Sequence, residues 1–233
     1  MKEICIIPKD LFKPFFDTIK VITQSIEAHV EDGILWLVTT DTAHTSMARM
    51  QVSCRVLNPF TFKIDLDKIN KMSVDGDFNF HHDDNVMIVK SGSTNYKIPI
   101  VVDTSVKTFE FKELNYTGSI VLSKEDIKKI IHIVNYVKSD KDLSNALFFT
   151  LQDGVFIVKD KHNTIDHRFE GLITRGSGSS LFSLDLIEDM CSAYNQYESF
   201  CLHISDDHPC MLKMQREGLC AEILIAPRLN EDE

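Results

Sequence analysis

Residues 31–36 read EDGILW, and residues 152–157 read QDGVFI. In each stretch an acid or amide is followed by Asp-Gly and then by apolar residues, which is typical of a tight hairpin turn entering a β-strand. The two stretches lie 121 residues apart, and a second similar pair, FKIDLDKINKM from Phe62 and FSLDLIEDM from Phe182, repeats with an offset of 120. Each member of this second pair predicts a strand, a capping Asp and a short helix. The chain is therefore predicted to be a tandem duplication.

An amphipathic helix is predicted ahead of each hairpin, in LFKPFFDTIKVITQSI from Leu11 and in LSKEDIKKIIHIVNYV from Leu122. Apolar residues recur there at helical spacing, with polar residues on the opposite face. Pro14 is expected in the first turn, where proline is tolerated, and Ser123 with Asp126 predicts a capping box. The predicted apolar stripes are Phe12, Phe15, Ile19, Ile22 and Ile26 in the first helix and Ile127, Ile130, Ile131, Val134 and Val137 in the second.

The duplicated halves are predicted to be α+β. Each half divides further into two units of a helix plus strands, so four helices accompany four groups of strands. We place the halves at residues 1–105 and 116–233, joined by an extended connector at residues 106–115. Phe109 and Phe111 alternate along this connector. They belong either to the core of a strand or to an exposed binding groove.

Composition narrows the class of protein. Lys plus Arg number 25 and Asp plus Glu number 35, a net charge of −10 that taken alone argues against nucleic acid as a partner. The first apolar run is too short for a signal peptide, and no stretch approaches the roughly 20 apolar residues of a membrane span. We therefore expect a soluble protein that stays inside the cell. The six cysteines include no CxxC pair, and we expect them to be reduced thiols.

The run FHHDDN at residues 80–85 is the sequence's candidate metal site, because it gathers His81, His82, Asp83 and Asp84. These residue types would suit a metal-dependent hydrolase. Neighbouring residues of a strand point to opposite faces and seldom converge on one ion, and we expect the run to form a solvated hairpin turn. The sequence has no dinucleotide-binding fingerprint, P-loop or ordered catalytic triad. We predict a non-enzyme with no cofactor and no metal.

Three further segments carry a family resemblance: TDTAHTSMARM at 40–50, SLFSLDLIEDM at 180–190 and EILIAPR at 222–228. Their order and spacing, together with the two halves and the connector, resemble the sliding clamps of the proliferating cell nuclear antigen family, the archaeal members in particular. The resemblance implies two tandem clamp domains, with antiparallel sheets outside and four helices lining the inside of a ring. Three identical chains would close the ring around duplex DNA. The clamp would serve as a processivity factor for DNA polymerase.

A clamp holds DNA by encirclement, so the resemblance implies diffuse phosphate contacts from basic helix positions rather than base recognition. Acidic outer sheets would then account for the net charge of −10. The alternative for each lysine is an ordinary solvated helix face. The fourth helix carries Glu188 and Asp189 in place of an expected lysine, which predicts uneven contact with DNA. The candidate DNA-binding residues are Lys13, Lys20, Lys68, Lys71, Lys128 and Lys129, with Lys9 as a neighbour.

The resemblance also implies a hydrophobic pocket for short peptides of DNA polymerase, the clamp loader, a nuclease and a ligase. Such peptides anchor apolar side chains and pair with the terminal segment of the clamp. The pocket residues carried over by position are His44, Met47, Phe109, Phe111, Pro209, Ala226, Pro227 and Arg228. The strands near 94–101 and 166–173 are the implied edges through which neighbouring chains pair.

Two further alternatives remain open from the sequence. The acidic fourth helix favours a subunit of a hetero-oligomeric, checkpoint-type clamp or a partner-binding platform, which would keep the same fold and stay monomeric until other chains bind. The cellular location follows the source: cytoplasmic if the chain is archaeal, and nuclear if it is from a eukaryote or a nuclear virus.

Overall fold

The structure is a computed structural model that describes residues 1–69, 71–73, 75–83, 85–100, 109–111, 113–140 and 145–228. The chain divides into two compact units. The first comprises Met1–Phe111 with Glu217–Ala221, and the second comprises Lys112–Arg216 with Glu222–Glu233. No helix in the described part is long and apolar enough to cross a membrane.

The first unit is built from nine strands and two helices among its described residues. Their bounds are β1 (Lys2–Ile7), α1 (Lys9–Ile19), β2 (Ser25–Glu31), β3 (Ile34–Thr40), β4 (Ser46–Ser53), β5 (Arg55–Val56), β6 (Phe60–Asp65), α2 (Leu66–Ile69), β7 (Phe78–Asp83), β8 (Val86–Ser91) and β9 (Thr94–Pro99). One sheet has the strand order β5-β1-β7-β8-β9. A second sheet contains the neighbouring strands β6-β2-β3-β4 in that order. The pairings are antiparallel.

The second unit repeats this order element by element. Its elements are β10 (Gly118–Leu122), α3 (Lys124–Ser139), β11 (Ala146–Gln152), β12 (Val155–Asp160), β13 (Asp166–Phe169), β14 (Ile173–Gly176), β15 (Gly178–Ser183), α4 (Leu184–Cys191), β16 (Ser199–Ile204), β17 (Cys210–Arg216) and β18 (Leu219–Ile225). A single 3-10 turn at Tyr194–Gln196 is added after α4. The strand orders are β14-β10-β16-β17-β18 and β13-β12-β11-β15. The predicted α+β class, the antiparallel sheets, the tandem repeat and, within the described residues, the four helices are confirmed.

The two Asp-Gly hairpins that predict the duplication have the same backbone conformation. Asp32 and Gly33 have φ values of 48° and 84°, and Asp153 and Gly154 have φ values of 52° and 79°. Positive φ at both central residues is the type I′ geometry that matches the twist of the flanking strands. The repeated sequence thus specifies a repeated turn.

Helix α1 packs its aromatic residues into the core of the first unit. Phe15 and Phe16 are buried, and the Phe12 ring stacks on that of Phe78 in β7 with centroids 3.4 Å apart. Fully burying one such side chain stabilises a fold by about 1.5–3 kcal/mol. The backbone N–H of Lys9 donates to Asp77 Oδ1 at 2.9 Å, which satisfies one of the free donors at the start of the helix.

Two details of the α1 prediction are wrong. The helix ends at Ile19, so Ile22 lies in the following turn and Ile26 lies in β2, although both are buried. Pro14 lies in the second turn rather than the first. Its carbonyl oxygen accepts a hydrogen bond from Thr18 Oγ1 at 2.7 Å.

Helix α3 begins with the predicted capping box: Ser123 accepts from the Asp126 backbone, and the Asp126 side chain accepts from the Ser123 backbone. The packed face includes Ile133, whereas Ile131, predicted to be core, is only half-buried. Four of the five predicted stripe residues are buried. The packed face is centred near Ile130, which puts Ile131 at its margin.

Helix α4 differs from the prediction at its start. Asp65 caps α2 through a 2.8 Å hydrogen bond from the Asp67 backbone, as predicted. In the second half the residue before α4 is Ser183, and Asp185 is the second helical residue. The structural repeat therefore runs from residue 65 to residue 183, and the sequence match between Asp65 and Asp185 is two residues out of register.

Candidate functional site

The six candidate DNA-binding lysines are all exposed and lie on or just after three helices. Lys13 belongs to α1, Lys68 to α2, and Lys128 and Lys129 to α3, whereas Lys20 and Lys71 follow α1 and α2. Three of the six pair with a carboxylate three residues earlier in the chain. The Nζ–O distances are 2.7 Å for Lys20–Asp17, 4.0 Å for Lys128–Glu125 and 3.9 Å for Lys129–Asp126. Exposed pairs of this kind add little stability, so these ammonium groups remain accessible to an external anion.

The exposed side of α3 carries an open depression of about 420 Å³. Its lining residues are Glu125, Lys128, Lys129, Ile131, His132 and Asn135. Most of these side chains donate hydrogen bonds or carry positive charge, and the half-buried Ile131 forms an apolar part of the surface. The depression therefore suits an anionic group that has an apolar neighbour.

The acidic face of α4 is partly neutralised by a lysine that sequence reasoning missed. Lys138, in the last turn of α3, forms ion pairs with both Asp185 and Glu188 of α4. Burial lowers the pKa of Lys138, but its hydrogen bonds to the two carboxylates outweigh burial and raise the pKa above the ordinary value. Helix α4 has no lysine of its own, as its sequence shows, and the lysine beside it comes from α3.

The loop after β3 is held by a half-buried carboxylate. Asp41 accepts hydrogen bonds from the Thr45 backbone at 2.8 Å, from Thr45 Oγ1 at 2.7 Å and from the Ser46 backbone at 3.0 Å. Partial burial raises the pKa of Asp41, but the hydrogen bonds from Ser46 and Thr45 together lower it by more than burial raises it. The pKa of Asp41 therefore lies below its usual value. His44 has a φ of 56° in this loop, and its ring is exposed.

The same loop occurs in the second unit. Asp160 is the last residue of β12, and its side chain accepts from the Ile165 backbone at 2.8 Å and from the His162 backbone at 3.3 Å. Asn163 has a φ of 54°, and it corresponds to His44. The duplication thus conserves the turn and changes the side chain that it presents.

Two aromatic residues of the connector contact side chains of the loop after β3 and of β4. The Phe109 ring lies 6.0 Å from the His44 ring, and the guanidinium carbon of Arg49 lies 4.6 Å from the centroid of Phe111. Both phenylalanines are half-buried and lie outside any strand. Met47 lies in β4 two residues before Arg49. The structure therefore brings His44 and Phe109 together and adds Arg49, which the sequence did not single out.

The other four predicted pocket residues belong to the second unit. Pro209 lies in the turn before β17, and Ala226, Pro227 and Arg228 follow β18. The Arg228 backbone N–H donates to the Leu181 carbonyl at 2.8 Å. Arg228 Nη1 also donates to Asn145 Oδ1.

This terminal segment is therefore ordered by β15 and by the residue before β11. The turn that precedes Pro209 is also fixed to β15, since the Ser179 backbone donates to Asp206 Oδ1 at 2.8 Å. Ser180 Oγ donates to the Ser205 carbonyl at 2.9 Å.

The FHHDDN run is not a solvated turn, and that prediction is wrong. His81 and His82 lie in β7, and His81 is only 4% exposed. Burial and the nearby Lys90 lower the pKa of His81. Asp83 is the last residue of β7, and Asp84 lies outside the described residues. Within the described part of the chain no three His, Cys, Asp or Glu side chains are grouped so as to hold a metal ion.

The predicted pairing edges coincide with the ends of the sheets. β9 ends the order β5-β1-β7-β8-β9, and β13 ends the order β13-β12-β11-β15. Residue 101 of the predicted first edge lies outside the described residues. An edge strand presents unpaired N–H and C=O groups to a further strand.

Comparison with known proteins identifies relatives of the whole chain. No protein-family model matches it. A DNA polymerase sliding clamp of Methanospirillum hungatei is 22% identical over 247 residues, covering 97% of this chain and 98% of the relative. Among solved structures, one that shows the C-terminal region of FEN-1 bound to A. fulgidus PCNA contains a chain that matches this one with a TM-score of 0.86 at 19% identity. The match covers all of both chains. The PCNA2-PCNA3 complex from Sulfolobus tokodaii gives a TM-score of 0.76 at 13% identity, covering 97% of this chain and 99% of that one.

These relatives match the chain from end to end, and the fold repeats theirs. They are clamps rather than enzymes, in agreement with the non-enzyme prediction. The chain is similar over nearly its whole length to archaeal DNA polymerase sliding clamps, and its fold is that of the proliferating cell nuclear antigen structures.

Proposed function

We propose that the chain forms a ring of three identical copies that encircles duplex DNA and keeps a DNA polymerase on its template. The observation that carries the proposal is the end-to-end match to DNA polymerase sliding clamps, combined with a described fold that repeats one clamp-type unit twice. Each copy contributes the two domains at residues 1–105 and 116–233 and the connector at 106–115.

The exposed lysines of α1, α2 and α3 are the proposed contacts to the DNA phosphates. Such contacts are independent of sequence and weaken with salt, which lets a ring slide. The lysines on or after α1, α2 and α3 are the proposed phosphate contacts. Helix α4 instead presents Asp185 and Glu188. Contact with DNA is therefore stronger along the first three helices than along α4.

Ring closure is proposed through β9 of one copy and β13 of the next. Both are edge strands within the described sheets. Head-to-tail pairing of two different edges generates a closed ring when the rotation between copies is right. It also removes two exposed edges that would otherwise promote aggregation.

Partner capture is proposed at the eight pocket residues. His44, Met47, Phe109 and Phe111 supply apolar and aromatic surface, and the segment from Ala226 to Arg228 supplies backbone groups for a peptide in extended conformation. The solved relative that binds a C-terminal region of FEN-1 supports a nuclease peptide as one ligand. A DNA polymerase, the clamp loader and a ligase are the other proposed partners. The archaeal relatives favour the cytoplasmic location over the nuclear one.

Encirclement is tested by retention on DNA of different topology. The chain is loaded onto a nicked circular plasmid with a clamp loader and ATP, and the complex is separated from free protein by gel filtration. The proposal predicts that the protein elutes with the circle and is lost when the plasmid is cut once by a restriction enzyme. Equal retention on circular and linear DNA would contradict it, because ordinary binding does not depend on closed topology.

A hetero-oligomeric clamp is the second candidate, and two observations favour it. α4 is acidic, with one lysine of α3 engaged by its carboxylates, and the chain has the fold of one chain from a structure of a PCNA2-PCNA3 complex. Such a subunit would remain a monomer by itself. Its solution mass therefore separates the two candidates.

A further inference from the structure

Two alternate residues of the connector, Phe109 and Phe111, each contact a side chain of the β3–β4 region. The Phe109 ring lies beside His44 at 6.0 Å with the two planes tilted by 54°. The Arg49 guanidinium lies over the face of the Phe111 ring, 4.6 Å from its centroid. Glu110, between them, is exposed. The alternation shows that one side of this short extended segment faces the sheet.

Arg49 and Met47 share one face of β4. Burial alternates along this strand, with Ser46, Ala48 and Met50 buried and Met47 and Arg49 half-buried. Residues two apart on a strand point to the same side and lie about 7 Å apart. Arg49 therefore lies next to a predicted pocket residue and contacts another one, although the sequence pattern gave it no role.

A guanidinium over an aromatic face is attracted by the negative charge of the ring. The contact also restricts where the ring can lie, because the attraction depends on the cation staying above the ring face. β4 pairs with β3 over seven residues, so Arg49 extends from a hydrogen-bonded strand. The contact thus transfers the rigidity of the sheet to a segment that has no strand partners of its own among the described residues.

We propose that Arg49 is a positioning residue of the partner-binding surface: it fixes the Phe111 ring, and with it residues 109–111, in the arrangement that accepts a partner peptide. This inference rests on the proposed function, since it concerns the same surface. A peptide that binds a fixed wall does not have to order that wall, and this preorganisation improves affinity without any direct contact to the peptide. Phe111 supplies the ring and Arg49 supplies its position.

The test compares Arg49→Met, which keeps the length of the side chain and removes the charge, with Arg49→Lys, which keeps a cation. Arg55→Met is the matched control, because it removes one positive charge from an exposed arginine of β5 in the same unit. The probe is a fluorescent synthetic peptide with the sequence of the FEN-1 C-terminal region, and its Kd is measured by anisotropy. Backbone amide exchange at residues 109–111 is measured on the same proteins.

Arg49→Met is expected to weaken the peptide about two- to fivefold, the factor that corresponds to one exposed cation–π contact, and to speed amide exchange at residues 109–111. Arg49→Lys recovers part of both effects, and Arg55→Met changes neither. In a Phe111→Leu background, Arg49→Met has no further effect on affinity, whereas a general loss of stability would persist there.

Two results would overturn the inference separately from the proposed function. If the wild-type chain binds the peptide and Arg49→Met binds it equally well, Arg49 has no positioning role and peptide capture stands. If Arg49→Met weakens peptide binding by the same factor in the wild-type chain and in the Phe111→Leu background, the effect of Arg49 does not depend on the Phe111 ring, and the inference is wrong. A wild-type chain that does not bind the peptide at all contradicts the proposed capture itself, and the inference fails with it.

Discussion

Replacing Asp41 by Ala removes the carboxylate that holds the His44 loop. Three hydrogen bonds converge on that carboxylate, from two backbone N–H groups and one hydroxyl. Side chains that cap a turn in this way contribute about 0.5–2 kcal/mol, and hydrogen bonds to a charged group about 1.5–3 kcal/mol. Because Asp41 is only half-buried, we expect the free energy of unfolding to fall by about 2 kcal/mol. The melting temperature should fall by about 4–8 °C.

The duplication supplies a matched control for this change. Asp160 holds the corresponding loop of the second unit through two backbone N–H groups, so Asp160→Ala is expected to destabilise the chain by a similar amount. Only Asp41 orders a loop that carries a proposed pocket residue. Asp41→Ala is therefore expected to weaken binding of the FEN-1 peptide several-fold below the melting temperature, whereas Asp160→Ala leaves it unchanged.

Calorimetry gives the stability of the three proteins and fluorescence anisotropy gives the Kd. Equal peptide affinity of Asp41→Ala and wild type would refute the argument that the loop positions His44 for binding. Equal weakening by both substitutions would also refute it, because the effect would then follow stability alone.

The contribution of Asp41 should depend on pH with a definite sign. Hydrogen bonding makes its folded-state pKa lower than the usual value, so the unfolded chain binds this proton more readily. The stabilisation is present above the unfolded pKa of about 3.9 and is lost as the pH falls through the folded pKa. The difference in unfolding free energy between wild type and Asp41→Ala is therefore expected to stay constant from pH 7 to about pH 5 and to shrink below pH 4. A difference that grows on acidification would show that the sign is wrong.

Three further changes test other parts of the account. Lys20→Glu combined with Lys71→Glu should reduce loader-dependent stimulation of a DNA polymerase and leave the oligomeric mass unchanged. The control variant, Lys2→Glu on β1, should have little effect. Normal stimulation by the double variant would argue against the DNA-facing role. Pro227→Ala should weaken the FEN-1 peptide without changing the mass, and unaltered binding would remove this residue from the pocket. Ser123→Ala should lower the free energy of unfolding by about 1 kcal/mol, measured by denaturant titration, and a neutral result would mean that the capping box adds nothing to α3.

The parts of the fold that the sequence predicted are those fixed by local chemistry. The Asp-Gly pairs specify type I′ turns because both residues tolerate positive φ, and the Ser123–Asp126 spacing specifies a capping box. The strand segments also follow from alternation of buried and exposed residues. These features need no information from distant parts of the chain.

The errors occur where a local pattern fits two structures. Ile22 and Ile26 are four residues apart, a spacing that suits one face of a helix and also one face of a strand. Pairing of Ile26 with Ile64 in β6 decides for the strand. Likewise Asp65 and Asp185 match in sequence but do not occupy equivalent positions in the structure. The start of α4 depends on where β15 ends.

The family resemblance supplied the positions of the candidate site, which stay predictions, whereas contacts that depend on tertiary structure could not be read from the sequence. Arg49 looked like an ordinary strand residue, and only its distance to Phe111 reveals a role. Lys138 became significant through its ion pairs with α4. His81 looked polar enough for a turn, yet its pairing with β1 and β8 buries it.

The central claim is that this chain alone builds the clamp ring, and its absolute mass in solution tests that claim most directly. Light scattering coupled to gel filtration is carried out over a hundredfold range of concentration. Three chains of 26.6 kDa predict a mass of about 80 kDa that persists on dilution. A stable mass of one chain at every concentration would contradict the homotrimer and favour a clamp completed by other subunits.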